Sequence, residues 1–155
     1  MRRWAGQLGG LILACAPMAA LDASELLRAA DLRAEAEQAA RRGVPLIVIY
    51  SRDDCKFCKT VKRDYLEPLA AGQKAPLVRE ISQDRDAPLT DFQGRPTTHA
   101  AFATGEKIKL VPVVAFYGRN GRQLAEPIVG ARLADFYQSY LDEAIALSSR
   151  QLKKP

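Results

Sequence analysis

The run Pro45-Leu46-Ile47-Val48-Ile49-Tyr50 is followed, across Ser51-Arg52-Asp53-Asp54, by Cys55-Lys56-Phe57-Cys58. A short, unbroken series of apolar and β-branched residues is the pattern of a strand buried on both faces of a sheet. The residues from Cys55 onward place Cys58, Val61, Tyr65 and Leu66 at helical spacing, and Pro68 is expected to end or kink that helix. The two cysteines therefore sit at a strand-to-helix junction. There, unpaired backbone N–H groups and the positive end of the helix dipole stabilise a thiolate on Cys55, with Cys58 one turn on and within disulfide reach. The bare spacing is shared by structural disulfides and half metal sites, so it is the junction that carries the chemical meaning. In the redox reading Cys55 attacks and Cys58 resolves.

The flanking sequence supplies the rest of an α/β domain. Upstream, Ser24 to Arg42 is rich in helix formers and reads as a helix capped by Ser24 and stopped by Gly43. Downstream, Pro76 to Ile81 reads as a second strand, parallel to the first because a helix separates the two. Ser82 to Arg95 is polar and turn-rich, and a short helix from Thr97 to Thr104, ended by Gly105, follows it. Val111–Tyr117 and Gln123–Val129 flank Gly118-Arg119-Asn120-Gly121-Arg122, and Asn-Gly between two apolar runs signals a hairpin. A helix from Leu133 to Leu147, with Tyr137 and Tyr140 as core or rim residues, closes the domain.

The order of elements and four landmarks along it resemble the thioredoxin-like superfamily, and within it the exported thiol:disulfide oxidoreductases of bacteria. The landmarks are Cys55-Lys56-Phe57-Cys58 behind its strand, Val111-Pro112 opening another, Phe116 to Gly121 at the hairpin, and Val129-Gly130-Ala131 before the last helix. The resemblance spans roughly residues 45 to 147. It implies a central mixed sheet flanked by helices, Cys55 as exposed nucleophile and Cys58 as buried resolving thiol. It also implies a cis peptide before Pro112 and a substrate-binding role for Val111 and Pro112, with Lys56 and Phe57 flanking the sulfurs. It calls for no cofactor and no metal. The buried aspartate that helps move protons in the best-known members, six residues before the nucleophile, is replaced here by Ile49. No other side chain near the pair is an obvious base, with water or a surface group such as Lys59 left for the task. Lys56 favours a Cys55 thiolate while Asp53 and Asp54 oppose it, so the local charges are expected to cancel roughly.

Composition sets the outer limits. At 155 residues, 48% apolar and 26% charged, there is room for one globular domain, and 3 Cys are too few for a disulfide-stapled scaffold. Met1-Arg2-Arg3, followed by an uncharged run whose apolar heart is Leu8 to Ala16, reads as a secretory signal over residues 1–23, with cleavage after small residues such as Ala19, Ala20 or Ala23. Residues 24–155 form the domain. Leu11-Ile12-Leu13-Ala14-Cys15 also resembles a lipobox, and lipidation at Cys15 is the only route by which a membrane anchor is expected. Loss of Arg2 and Arg3 with the signal lowers the net charge of +5 by two, and the remaining basic residues form no block that a nucleic acid would need. The reading that results is a monomeric periplasmic oxidoreductase serving cysteine-containing exported proteins and drawing on an envelope electron donor. The domain lacks the large helical insertion of the strong oxidants and the dimerisation domain of the isomerases, which favours reduction. The alternative is a soft-metal module that holds copper on the two sulfurs without turnover. His99, the only histidine, could join the thiols there but is expected to face solvent on the short helix.

Overall fold

The structure is a computed structural model, and it describes residues 25–72, 75–131 and 134–153. The expected signal segment, Ser24, Cys15 and Leu133 lie outside those residues. Strands β1 (Leu46–Ser51), β2 (Leu77–Ser82), β5 (Val113–Tyr117) and β6 (Gln123–Val129) form one mixed sheet in the order β2-β1-β5-β6. β1 runs parallel to β2 and antiparallel to β5, which pairs antiparallel with β6. Every residue of β1 is buried, as its unbroken apolar run requires of a strand with helices on both faces. On one face Leu46, Val48 and Tyr50 pack with α1 (Leu32–Arg41) and α4 (His99–Gly105). On the other, Ile47 and Ile49 meet the helix that carries the cysteines and α5 (Tyr137–Leu152). Among the described residues no helix is long and apolar enough to cross a membrane.

The first helix begins later than its composition suggests. Asp31, not Ser24, is the N-cap, accepting the Ala34 N–H at 2.9 Å, while residues 27–29 run beside β2 with Ala29 N–H donating to the Glu80 carbonyl and Glu80 N–H to that of Leu27. Burial of Leu26 and Ala29, together with these edge hydrogen bonds, outweighs the helix propensity of the segment. Gly43, at φ +69, stops the helix as expected.

Pro68 does not end the second helix. α2 (Lys56–Val61) passes into a π-helical turn (Lys62–Leu66) and then α3 (Glu67–Ala70). The wider turn resets the register so that Pro68 falls in the first turn of α3, where its missing N–H costs little.

The polar connection after β2 is compact. β3 (Pro88–Thr90) and β4 (Pro96–Thr98) form a small antiparallel hairpin whose turn is held by Asp91, which accepts the backbone N–H of Gln93 and of Arg95 at 2.8 and 2.9 Å. Phe92 from this turn packs on Tyr117 and lies under the β5–β6 hairpin. At that hairpin Asn120 and Gly121 both have positive φ, and a Cβ on Gly121 would come within 2.7 Å of the Phe92 ring. Asn-Gly thus serves the turn and the packing at once.

His99 contradicts its expected solvent exposure. It is 1% exposed, its Nδ1 accepting the Ser82 N–H at 3.1 Å and its Nε2–H donating to the Ala29 carbonyl at 2.9 Å. Thr98 caps α4 immediately before it, which turns the ring inward to bridge β2 and the N-terminal segment. Only the neutral ring can accept at Nδ1, and burial, chiefly, holds its pKa below the ordinary 6.5. Because the folded-state pKa is lowered, the unfolded chain takes up a proton first as pH falls below about 6.5, and stability drops from there toward the folded-state pKa. Urea unfolding midpoints of the wild type should therefore fall between about pH 7.5 and 5.5, and His99→Gln should lose that part of the pH dependence while being less stable at the upper end.

Candidate active site

β1 delivers the chain to Cys55, which caps the helix beginning at Lys56. Cys55 and Cys58 are joined by a disulfide with their Cα atoms 5.2 Å apart, and the Cys58 N–H donates to Cys55 Sγ at 3.1 Å. Cys55 is partly exposed and Cys58 is 0% exposed. An incoming sulfur can therefore reach only the first of the two. In the reduced state the same N–H and the start of the helical segment, which continues to Ala70, favour negative charge on Cys55.

The Val111–Pro112 peptide is cis, Pro112 is buried, and its carbonyl accepts the Gly130 N–H at 2.7 Å. Phe57, Leu110, Val111, Pro112, Val129 and Gly130 line a cleft of about 610 Å³ together with Ala131. Phe57, Leu110 and Val129 are 63%, 70% and 55% exposed, an unusual cluster of bare apolar side chains on so small a domain. Three of the four residues expected to meet substrate, Val111, Pro112 and Phe57, thus share one cleft. Lys56 is exposed beside Cys55 and is not part of the cleft lining.

The acidic residues before Cys55 are each matched. Arg52 donates to Asp54 at 2.9 Å, and that hydrogen bond is the main cause holding the Asp54 carboxyl below its usual range. Arg85, from the turn after β2, pairs with Asp53, and Asp84 beside it accepts the Asp53 N–H at 2.9 Å. The polar connection after β2 thus braces the active-site loop. Asp53 and Asp54 are thus each paired with an arginine at the surface of the active-site loop.

Sequence reasoning missed a buried charged group that ties β1 to the cysteine helix. Glu80 on β2 is 3% exposed and its Oε1 accepts from the Ser51 hydroxyl and, at 2.7 Å, from Lys62 Nζ. The available signal was Arg79-Glu80, two charges in the middle of an expected strand. The two charges point to opposite faces, Arg79 to Glu35 of α1 and Glu80 to Lys62 of the helix. Lys59 is exposed. Among the described residues no group of three or more His, Cys, Asp or Glu is placed to hold a metal, and both ring nitrogens of His99 are already engaged.

The sequence matches the model of a thioredoxin-like domain over residues 32–145. The chain belongs to the thioredoxin-like family. Solved structures agree on the fold. The mitochondrial thioredoxin 3 of Saccharomyces cerevisiae in its oxidised form superposes with a TM-score of 0.53 at 15% identity, over 80% of this chain and 96% of that one. The reduced thioredoxin pre-protein of Schistosoma mansoni gives 0.53 at 19% identity, over 79% and 100%. A thioredoxin-fold protein from Helicobacter pylori gives 0.54 at 10% identity, over 68% and 71%. No curated protein is significantly similar to the chain. A thioredoxin-like domain with adjacent cysteines at this junction supports thiol:disulfide oxidoreductase chemistry in general.

Proposed function

We propose that this thioredoxin-like protein is exported to the periplasm and reduces cysteine pairs of other exported proteins, an envelope donor returning its own pair to the dithiol. The carrying observation is the accessible Cys55 over a fully buried Cys58, set beside the apolar cleft of the Val111–Pro112 loop. In this mechanism the Cys55 thiolate attacks one sulfur of a substrate disulfide. Meanwhile an extended substrate segment lies along Val111, with Phe57, Leu110 and Val129 covering its apolar side chains. Cys58 then attacks Cys55 Sγ and the reduced substrate leaves. Export rests on the Arg2-Arg3 and Leu8 to Ala16 pattern. Reduction is favoured by the connection between β2 and β5, which holds a small hairpin and the seven residues of α4 where a strong oxidant would carry a large helical insertion.

The test is trapping. With Cys58→Ala the second step is lost, so Cys55 should accumulate as mixed disulfides with envelope proteins that contain cysteine pairs, released by dithiothreitol and absent when Cys55 is also replaced. An envelope fraction that yields no such adduct would contradict the role.

A further inference from the structure

The cleft that Phe57 shares with the Val111–Pro112 loop continues past that loop. Leu110 and Val129 also line a second cleft of about 280 Å³, together with Lys107, Ile108, Lys109 and Pro127. The two are therefore continuous, and one groove leads from Phe57 over Leu110 and Val129 to a pair of lysines. Pro127 and Val129 stand two apart on β6 and project from one face of the sheet, whereas Glu126 and Ile128 project from the other and line a separate groove against α5. Glu106 precedes Lys107 but bears on the hydroxyls of Tyr50 and Tyr117. Among the described residues no carboxylate lines the continuous groove and none pairs with Lys107 or Lys109, both of which are exposed. The lysines also sit on a fixed backbone. Lys107 N–H donates to the Thr104 carbonyl and Ile108 N–H to that of Ala103, both at 3.0 Å, which closes the end of α4 as a Schellman cap. That cap requires a left-handed residue, and Lys107 fills it at φ +58 although glycine adopts the conformation without strain. A lysine kept there is better explained by what its side chain meets than by the turn.

We infer that this groove selects substrates whose reacting cysteine is flanked on one side by an extended segment, apolar first and then acidic, with the carboxylates meeting Lys107 and Lys109. The inference deepens the exchange reading above and rests on it. Burial of Leu110 and Val129 supplies affinity for an apolar segment of almost any sequence. The two lysines choose among such segments, since charge across an interface acts on encounter rate and partner choice more than on raw affinity. Lys107 lies four residues before Val111, at most about 14 Å of chain, which an extended substrate covers in about four residues. Acidic side chains are therefore expected about three to five positions from the substrate cysteine. Lys107 and Lys109 act here as specificity determinants, remote from the sulfurs along the groove, and the exchange chemistry itself is unaltered.

The test mixes the reduced full-length protein with disulfide-linked dimers of a short peptide in which the cysteine is followed by two apolar residues and two glutamates. Each protein dithiol oxidised to a disulfide reduces one dimer to two peptide thiols, counted after an acid quench, and Cys55→Ser protein corrects for any reaction at Cys15. A second dimer carries the same residues before the cysteine, so that both chain directions are sampled, and matched dimers carry glutamine in place of glutamate. In at least one direction the glutamate peptide should be reduced about three to ten times faster than its glutamine match at low ionic strength, the ratio falling as salt is raised. Lys107→Asn with Lys109→Gln should bring that ratio to about one, asparagine being at ease in the left-handed position, and Lys107→Glu with Lys109→Glu should reverse it. Arg150→Gln with Lys153→Gln, which removes the same charge at the end of α5, should keep the wild-type ratio. Equal rates for glutamate and glutamine peptides in both directions would overturn the inference and leave the exchange reading standing. So would a preference that survives in the neutralised variant or is lost equally in the α5 control. A wild type that reduces none of the peptides would overturn the exchange reading itself, and this inference with it.

Discussion

Replacing Cys55 by serine should bring disulfide reduction down to the rate of the chemical reductant alone, in an insulin assay, while leaving the domain folded. The nucleophile is a thiolate, and a serine hydroxyl at the same helix start has no comparable ionised form near neutral pH. Cys58 is buried and does not substitute, since a substrate sulfur reaches the pair only at Cys55. The loss of the disulfide itself matters little for the fold, because closing so short a loop stabilises by ~2 kcal/mol at most on the chain-entropy account. Reduction by the variant at even a few per cent of the wild-type rate, taken here as roughly the floor for a missing nucleophile, would point to another reactive group.

Phe116→Ala is expected to have the largest effect on stability. Phe116 is 0% exposed at the centre of β5, opposite Ile47 of β1 and Ala125 of β6, and it packs with Tyr137 and Leu141 of α5. Truncating such a side chain costs about 3–5 kcal/mol. Against a total of about 5–15 kcal/mol this removes roughly a fifth or more of the stability of a typical domain, and the urea midpoint should fall with an unchanged slope. A loss below about 1 kcal/mol would mean that the two layers meet elsewhere than at this residue.

What could be read from residues follows a physical division. β1 was legible because a strand covered on both faces has nothing but apolar side chains to show. The hairpin was legible because Asn120-Gly121 encodes a backbone conformation that few other dipeptides adopt. The redox pair was legible because spacing, strand and helix start converge on Cys55 and Cys58. The start of α1 was misplaced because residues 25–30 have helical composition, and only the open edge of β2, which is a tertiary feature, makes the extended form better. His99 was placed on the wrong side of its helix because α4 is short, and a single ring turned inward by two hydrogen bonds leaves no periodic trace. Glu80 escaped notice for a related reason. Its partners, Ser51 and Lys62, come from other elements and only strand register brings them together. The cleft residues Leu110 and Val129 are likewise assembled by topology from the two ends of the β5–β6 hairpin.

Equilibration of the protein with glutathione buffers of graded poise, read by acid quenching and thiol alkylation, addresses the central claim most directly. If Cys55 and Cys58 are a working redox pair, they should interconvert reversibly in one two-electron transition, at a potential within the range of about −270 to −120 mV spanned by thiol:disulfide exchange proteins and toward its reducing end. A pair that stays oxidised until poises below about −300 mV, as structural disulfides do, would contradict the account.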